Sequence, residues 1–164
     1  MERFLALPDE RRSMIVDAAF AAFGRNGYKK ASTADVAAAS GMSKGMVFHY
    51  FGTKKDMYLY LCEFCFKKMR DSLSGVKGAA QDDFFDRIRY ATHAELALLQ
   101  RYPHMLSFLK SVYSESDLEI IDEVRRYHDL VAPSQRDFLV VEGDAAKFKA
   151  AVDPDRVLRL ILAA

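Results

Sequence analysis

Apolar residues recur three and four positions apart over most of the chain, and period-two alternation is nearly absent, so the pattern predicts an all-α protein. Ile15, Ala18, Ala19, Ala22 and Phe23 form one stripe behind the acidic first turn Asp9-Glu10, and Gly24 and Gly27 are expected to end that helix, at about residues 9 to 25. Thr33 reads as the N-cap of a short alanine-rich helix to Ser40. Gly41 is its expected stop, because glycine accepts the left-handed conformation at a helix end. Ser43 caps a second short helix to about Tyr50. Thr53 then caps a long segment, Lys54 to Leu73, with Met57, Tyr58, Tyr60, Leu61, Phe64, Phe66 and Met69 on nearly every face, which implies burial on several sides.

Ser74-Gly75-Val76-Lys77-Gly78 has the composition of a linker. Beyond it, Phe85, Ile88, Thr92, Leu96 and Leu99 stripe a helix over 82 to 101, and Pro103 suits the first turn of another helix ending near Tyr113. Ser114 or Ser116 can cap a helix through Val131, which Pro133 is expected to break. The run FLVV at 138 to 141 fits a strand by periodicity alone; helix or loop is the preferred reading, with Ala145 to Ala151 helical and a last helix opening at Asp153-Pro154.

Half the 164 residues are hydrophobic, enough for a real core, and the formal net charge is only +1, so the protein does not coat DNA by charge alone. The charge is unevenly spread. Residues 1 to 55 carry nine Lys/Arg and five Asp/Glu, a net of +4, whereas 56 to 164 carry fifteen and eighteen, a net of −3. A polyanion would dock on the first third. There is no run of the ~18 apolar residues that a membrane span needs and no secretion signal, so the expectation is a soluble, cytoplasmic protein with no membrane partner. Cys62 and Cys65 lie in a helical stretch with no second pair to complete a zinc site. They read as reduced packing residues, with a redox pair or a metal site as alternatives.

Two short helices around Gly41 make a helix-turn-helix over residues 33 to 52. Val36 clamps the first helix, Ala37 sits at the close contact, Gly41 and Met42 form the turn, and Val47 and Phe51 hold the second helix. The opposite face of that second helix presents Ser43, Lys44, Gly45, Phe48 and His49, with Tyr50 near its end, a set able to enter a major groove.

Here the chain resembles the TetR family of bacterial transcriptional regulators. The residues TADVAAASGMSKGMVFHYFGTKKDMY, 33 to 58, match the family's Thr-started helix, Ala-x-x-x-Gly-hydrophobic-Ser turn, Lys-Gly, aromatic cluster and Lys-led next helix. Phe23-Gly24-Arg25-Asn26-Gly27-Tyr28 fits its usual ending of the preceding helix. The likeness covers about residues 10 to 60.

It implies an N-terminal DNA-binding domain, residues 1–53, and a helical ligand-binding and dimerisation domain, residues 54–164. It also implies contacts to a double-stranded DNA operator residue by residue. Thr33 would offer its hydroxyl and backbone N–H to a phosphate, act as a plain cap, or do both. Ser43 and Lys44 would meet phosphate or a base edge, Gly45 would permit close approach, and Met46 would help set operator preference. Phe48 would touch a thymine methyl or pack. His49 and Tyr50 would contact phosphate or bases, and Lys54 another phosphate. Arg3 could belong to a minor-groove arm.

In the second domain, Phe66, Met69, Phe108, Tyr113 and Tyr127 could line an apolar pocket for a small-molecule inducer, with Thr92 and His128 as polar anchors. The implied function is a homodimeric repressor released from a palindromic operator by that inducer. The alternative is a DNA-binding protein of the same fold controlled by a protein partner or serving an architectural role. No phosphate loop, nucleophile elbow or metal-ligand set is present in the sequence, so neither an enzyme nor a cofactor is expected. The apolar end Leu160-Ile161-Leu162-Ala163-Ala164 raises the expectation that the second domain is incomplete at its C-terminus and that the natural polypeptide continues.

Overall fold

A computed structural model describes residues 1–74, 83–140, 144–149 and 152–163, and every described element is helical. In order these are α1 (Glu2–Leu5), α2 (Asp9–Lys30), α3 (Thr33–Ser40), α4 (Lys44–Phe51), α5 (Lys54–Ser74), α6 (Phe84–Arg101), α7 (Met105–Tyr113), α8 (Ile121–Leu139), α9 (Asp144–Lys147) and α10 (Pro154–Ala163). Gly75 to Gly78 of the expected linker, and parts of the 145–151 helix, lie outside the described residues.

Three differences from the sequence expectation bear on the packing. The first helix does not stop at Gly24; α2 runs on to Lys30 with a kink at Gly27, whose φ of 69° only glycine adopts without strain. Gly24 serves close packing instead. A Cβ there would stand 2.6 Å from Ser107 Oγ and 2.8 Å from the Phe108 backbone nitrogen, so the missing side chain lets α2 cross α7 almost backbone to backbone. The second difference is that α8 continues through Pro133 to Leu139, since a proline removes one backbone hydrogen bond without obliging a helix to end. FLVV therefore begins as helix, not strand. The third is α1, a short helix with no counterpart among the expected elements.

Phe4 is fully buried, its ring 4.7 Å from that of Phe51 and 5.6 Å from that of Tyr60. It belongs to a main core that draws Ile15, Phe20 and Phe23 from α2, Val36 from α3, Val47 from α4, Met57, Tyr58 and Leu61 from α5, Phe108 from α7 and Ile120 ahead of α8. This core passes across residue 53. Tyr58, wholly buried, packs its ring edge-on against Phe23 and Tyr28 of α2 and against Phe108 of α7. Such shared burial, at roughly 1.5–3 kcal/mol per large side chain, makes α5 a beam common to both halves.

A second core joins Leu73, Phe84, Ala91 and Leu139 at the other end of α5. Inside it the buried pair Arg87–Asp144 ties α6 to α9, and Arg87 Nε also donates to the Leu139 carbonyl at 3.3 Å. Among the described residues no helix is long and apolar enough to cross a membrane.

Candidate nucleic-acid interface

Local chemistry shapes the two helices of the turn. The cap of α3 is Ser32, one residue before the expected Thr33. Ser32 Oγ accepts from the Asp35 N–H at 3.2 Å, and the Asp35 carboxylate accepts from the Ser32 N–H at 3.0 Å, a reciprocal box that outcompetes a lone threonine. The same Ser32 hydroxyl and N–H hold the Asp35 carboxyl below the usual range. Thr33 is therefore the first helical residue, with its side chain largely buried. What it can still offer an anion is the backbone N–H at the positive end of α3.

Gly41 closes α3 in the left-handed region, with φ of 64°, and the Met42 N–H returns to the Ala37 carbonyl at 3.0 Å. Ser43 Oγ accepts from the Met46 N–H at 3.2 Å and starts α4, as expected. Val47 and Phe51 point into the core beside Ala37. The geometry thus presents a defined outer face on α4.

Six of the expected contact residues share that face: Ser43, Lys44, Gly45, Met46, Phe48 and His49 are all exposed. The alternative of packing for Phe48 is not realised, since 44% of it is open to solvent. Tyr50 is half-buried, with its ring 5.9 Å from Phe4. Lys54 is turned inward. Its ammonium lies 3.3 Å from the Lys29 carbonyl, 3.5 Å from that of Ala31 and 4.5 Å from the centre of the Tyr28 ring, so it caps the end of α2. A phosphate at Lys54 would have to compete with these partners. Arg3 does not extend as an arm: its Nη1 donates to His49 Nε2 at 2.7 Å.

The α7–α8 connection is fastened to α2 and α5. Glu115 accepts the Tyr28 N–H at 3.1 Å with one oxygen and the Ser116 and Asp117 N–H groups with the other. The kink at Gly27 interrupts the helical hydrogen-bond pattern at Tyr28, and Glu115 supplies an acceptor there. Lys55 donates to the Glu119 carbonyl at 2.6 Å and pairs with Glu123 at 3.1 Å. At the other end of α7, Asp17 of α2 accepts from the His104 backbone at 2.9 Å and meets its ring at 2.7 Å.

The expected pocket residues do not converge. Phe66, Tyr113 and His128 approach one another, with His128 6.4 Å from Phe66 and 5.7 Å from Tyr113 between ring centres. Phe108 is instead sealed between Phe20 and Tyr58. Thr92 is exposed and donates its hydroxyl to the Ile88 carbonyl, while Met69 and Tyr127 pack along the margin of the main core. Helical spacing cannot say which neighbour each side chain meets, and Thr92 and Tyr113 lie exposed. A cavity of about 480 Å³ lies between α1, α2 and α5, floored by Val16, Tyr60, Phe64 and Tyr102. Another of about 730 Å³ lies between the end of α2 and the 111–118 segment. None of the seven expected pocket residues lines either one.

Cys62 and Cys65 are fully buried and free, and burial pushes both thiols up, so neither offers a reactive thiolate.

Comparison with known proteins agrees with this arrangement. The sequence pattern of the bacterial regulatory proteins of the tetR family matches residues 15–61, which contain α3 and α4 entire. The chain is 27% identical to the HTH-type transcriptional regulator BetI of Rhizobium meliloti over 132 residues, 80% of this chain and 63% of that protein. It thus spans less than two thirds of that relative's length. It is 29% identical to the HTH-type transcriptional repressor Rv1474c of Mycobacterium tuberculosis over 168 aligned positions, 92% of this chain and 89% of that one. The fold is similar to that of the transcriptional regulator FadR from Bacillus subtilis, solved with stearoyl-CoA, with a TM-score of 0.65 at 17% identity over 92% of this chain and 80% of that one. With its turn, caps and outward face all in place, the segment 15–61 matches the pattern of the bacterial regulatory proteins of the tetR family, and the chain as a whole is similar in fold to solved regulators of that kind.

Proposed function

We propose that this regulator is a homodimeric repressor that α4 seats in the major groove of a palindromic operator and that a small-molecule inducer releases. The observation that carries the reading is the exposed face Ser43, Lys44, Gly45, Met46, Phe48 and His49 on a helix fixed from behind by Val47 and Phe51. It is rigid, mixes a cation with hydroxyl, imidazole and apolar groups, and lies in the positively charged third of the chain. Residues 1–53 act as the DNA-binding domain, and 54–164 as the ligand-binding and dimerisation domain.

The repressor assignment takes support from the name of the Mycobacterium relative, and small-molecule control from the stearoyl-CoA complex of FadR. A two-fold dimer sets two α4 helices one helical turn of DNA apart, about 34 Å. A ligand that shifts the 111–123 region would act on α2 through Glu115 and on α5 through Lys55, and so change that spacing. Operator DNA must then weaken ligand binding by the factor with which ligand weakens DNA binding. Genomic footprinting with the purified protein, followed by a ligand screen for release of the recovered DNA, tests the proposal. Failure to enrich any site, or calorimetry showing equal ligand affinity with and without operator, would sink it.

A further inference from the structure

We infer that Arg3 is a positioning residue for His49: it holds the imidazole on α4 in the tautomer that carries its proton on Nδ1, so that His49 offers DNA an Nδ1–H donor. The DNA contact rests on the DNA-binding reading above, whereas the tautomer follows from the contact itself.

The juxtaposition is built by α1. Phe4, with no exposed surface, is held by the Tyr50, Phe51 and Tyr60 rings, so the residue beside it cannot wander far from α4. Arg3 reaches His49 from there, Nη1 to Nε2 at 2.7 Å. A guanidinium has five N–H donors, no acceptor, and a charge it does not lose. At that distance Nε2 must be the acceptor, and a neutral imidazole with a bare Nε2 keeps its proton on Nδ1. An unassisted imidazole prefers the opposite arrangement, so the contact inverts the ordinary tautomer. His49 is exposed, with Tyr50 as its ring neighbour at 5.9 Å. The two ring nitrogens diverge, so the His49 Nδ1–H and the remaining Arg3 N–H groups are donors to separate acceptors along the DNA backbone. A minor-groove role would require Arg3 to abandon His49 while Phe4 stays anchored one residue away.

Nitrogen-15 NMR of the full chain at about pH 9, where imidazole is neutral, reads the tautomer directly, with His49→Ala assigning the signal among the four histidines. Wild type and Arg3→Lys should show an unprotonated Nε2 and a protonated Nδ1 at His49, because lysine also only donates. Arg3→Ala should revert toward Nε2–H. In operator titrations Arg3→Ala and His49→Ala should each weaken binding by about tenfold, and the double variant by little more than either alone, as expected of groups acting together. A wild-type Nε2–H, or a tautomer unchanged in Arg3→Ala, would overturn the inference, and multiplicative losses would overturn the paired action. Wild type that binds no DNA would defeat the functional reading instead, and the NMR result would still decide the role of Arg3.

Discussion

Gly24→Ala pits a local preference against a tertiary contact, and the structure decides the sign. Inside a helix, alanine is favoured over glycine by about 1 kcal/mol, so propensity alone predicts a more stable protein. The new methyl would stand 2.6 Å from Ser107 Oγ, 2.8 Å from the Phe108 nitrogen and 2.9 Å from the Ser107 carbonyl carbon. The serine hydroxyl could rotate away; the two backbone atoms move only if α7 does. Overpacking of this kind costs about 1–3 kcal/mol, and contact with backbone places it at the upper end. The net loss is then about 2 kcal/mol, or about 4–8 °C in Tm for a chain of this size. Gly45→Ala is the control, since its Cβ would find only Ser43 Oγ, at 3.9 Å. That variant should keep the wild-type Tm or slightly exceed it, while losing operator affinity because the backbone can no longer approach DNA as closely. Thermal unfolding followed by circular dichroism checks both. A Gly24→Ala protein melting at or above wild type would show that α2 and α7 part at no cost and would refute the close-crossing argument.

Ala37→Leu should cost about 1–3 kcal/mol by forcing α3 and α4 apart, with weaker operator binding; denaturant unfolding and titration read the two effects. Lys44→Ala should lower the slope of log affinity against log salt by about one, whereas Lys54→Ala should leave the slope nearly unchanged and lower stability, because its ammonium serves α2. Asp144→Ala removes the buried carboxylate paired with Arg87 and should cost about 3–5 kcal/mol in chemical denaturation; replacing both partners by apolar residues should cost much less. Asp35 has its carboxyl pulled down by Ser32, so its stabilising effect is complete above the unfolded value of about 3.9 and fades as pH falls through the lower folded value. Acid unfolding of Asp35→Asn should lose that dependence, and an unchanged acid limb would argue against the capping box.

The turn itself was legible in the sequence because everything that makes it is local. Gly41, Ala37, Ser43, Val47 and Phe51 act within a few residues of one another, and family resemblance placed them in the right register. The capping box at Ser32 and Asp35 is equally local, and it places the cap one residue before the Thr33 that composition favours. Tertiary structure alone decided the rest. Gly24 looks like a helix stop until Ser107 and Phe108 arrive against it, and Lys54 looks like a phosphate contact until the end of α2 claims its ammonium. Arg3 gained His49, and Arg87 gained Asp144, across 46 and 57 residues of sequence. Periodicity reports which side of a helix turns inward; which distant group it meets there is fixed only when the helices cross, and that determined why the aromatic residues foreseen as one pocket were divided between a sealed core and an exposed edge.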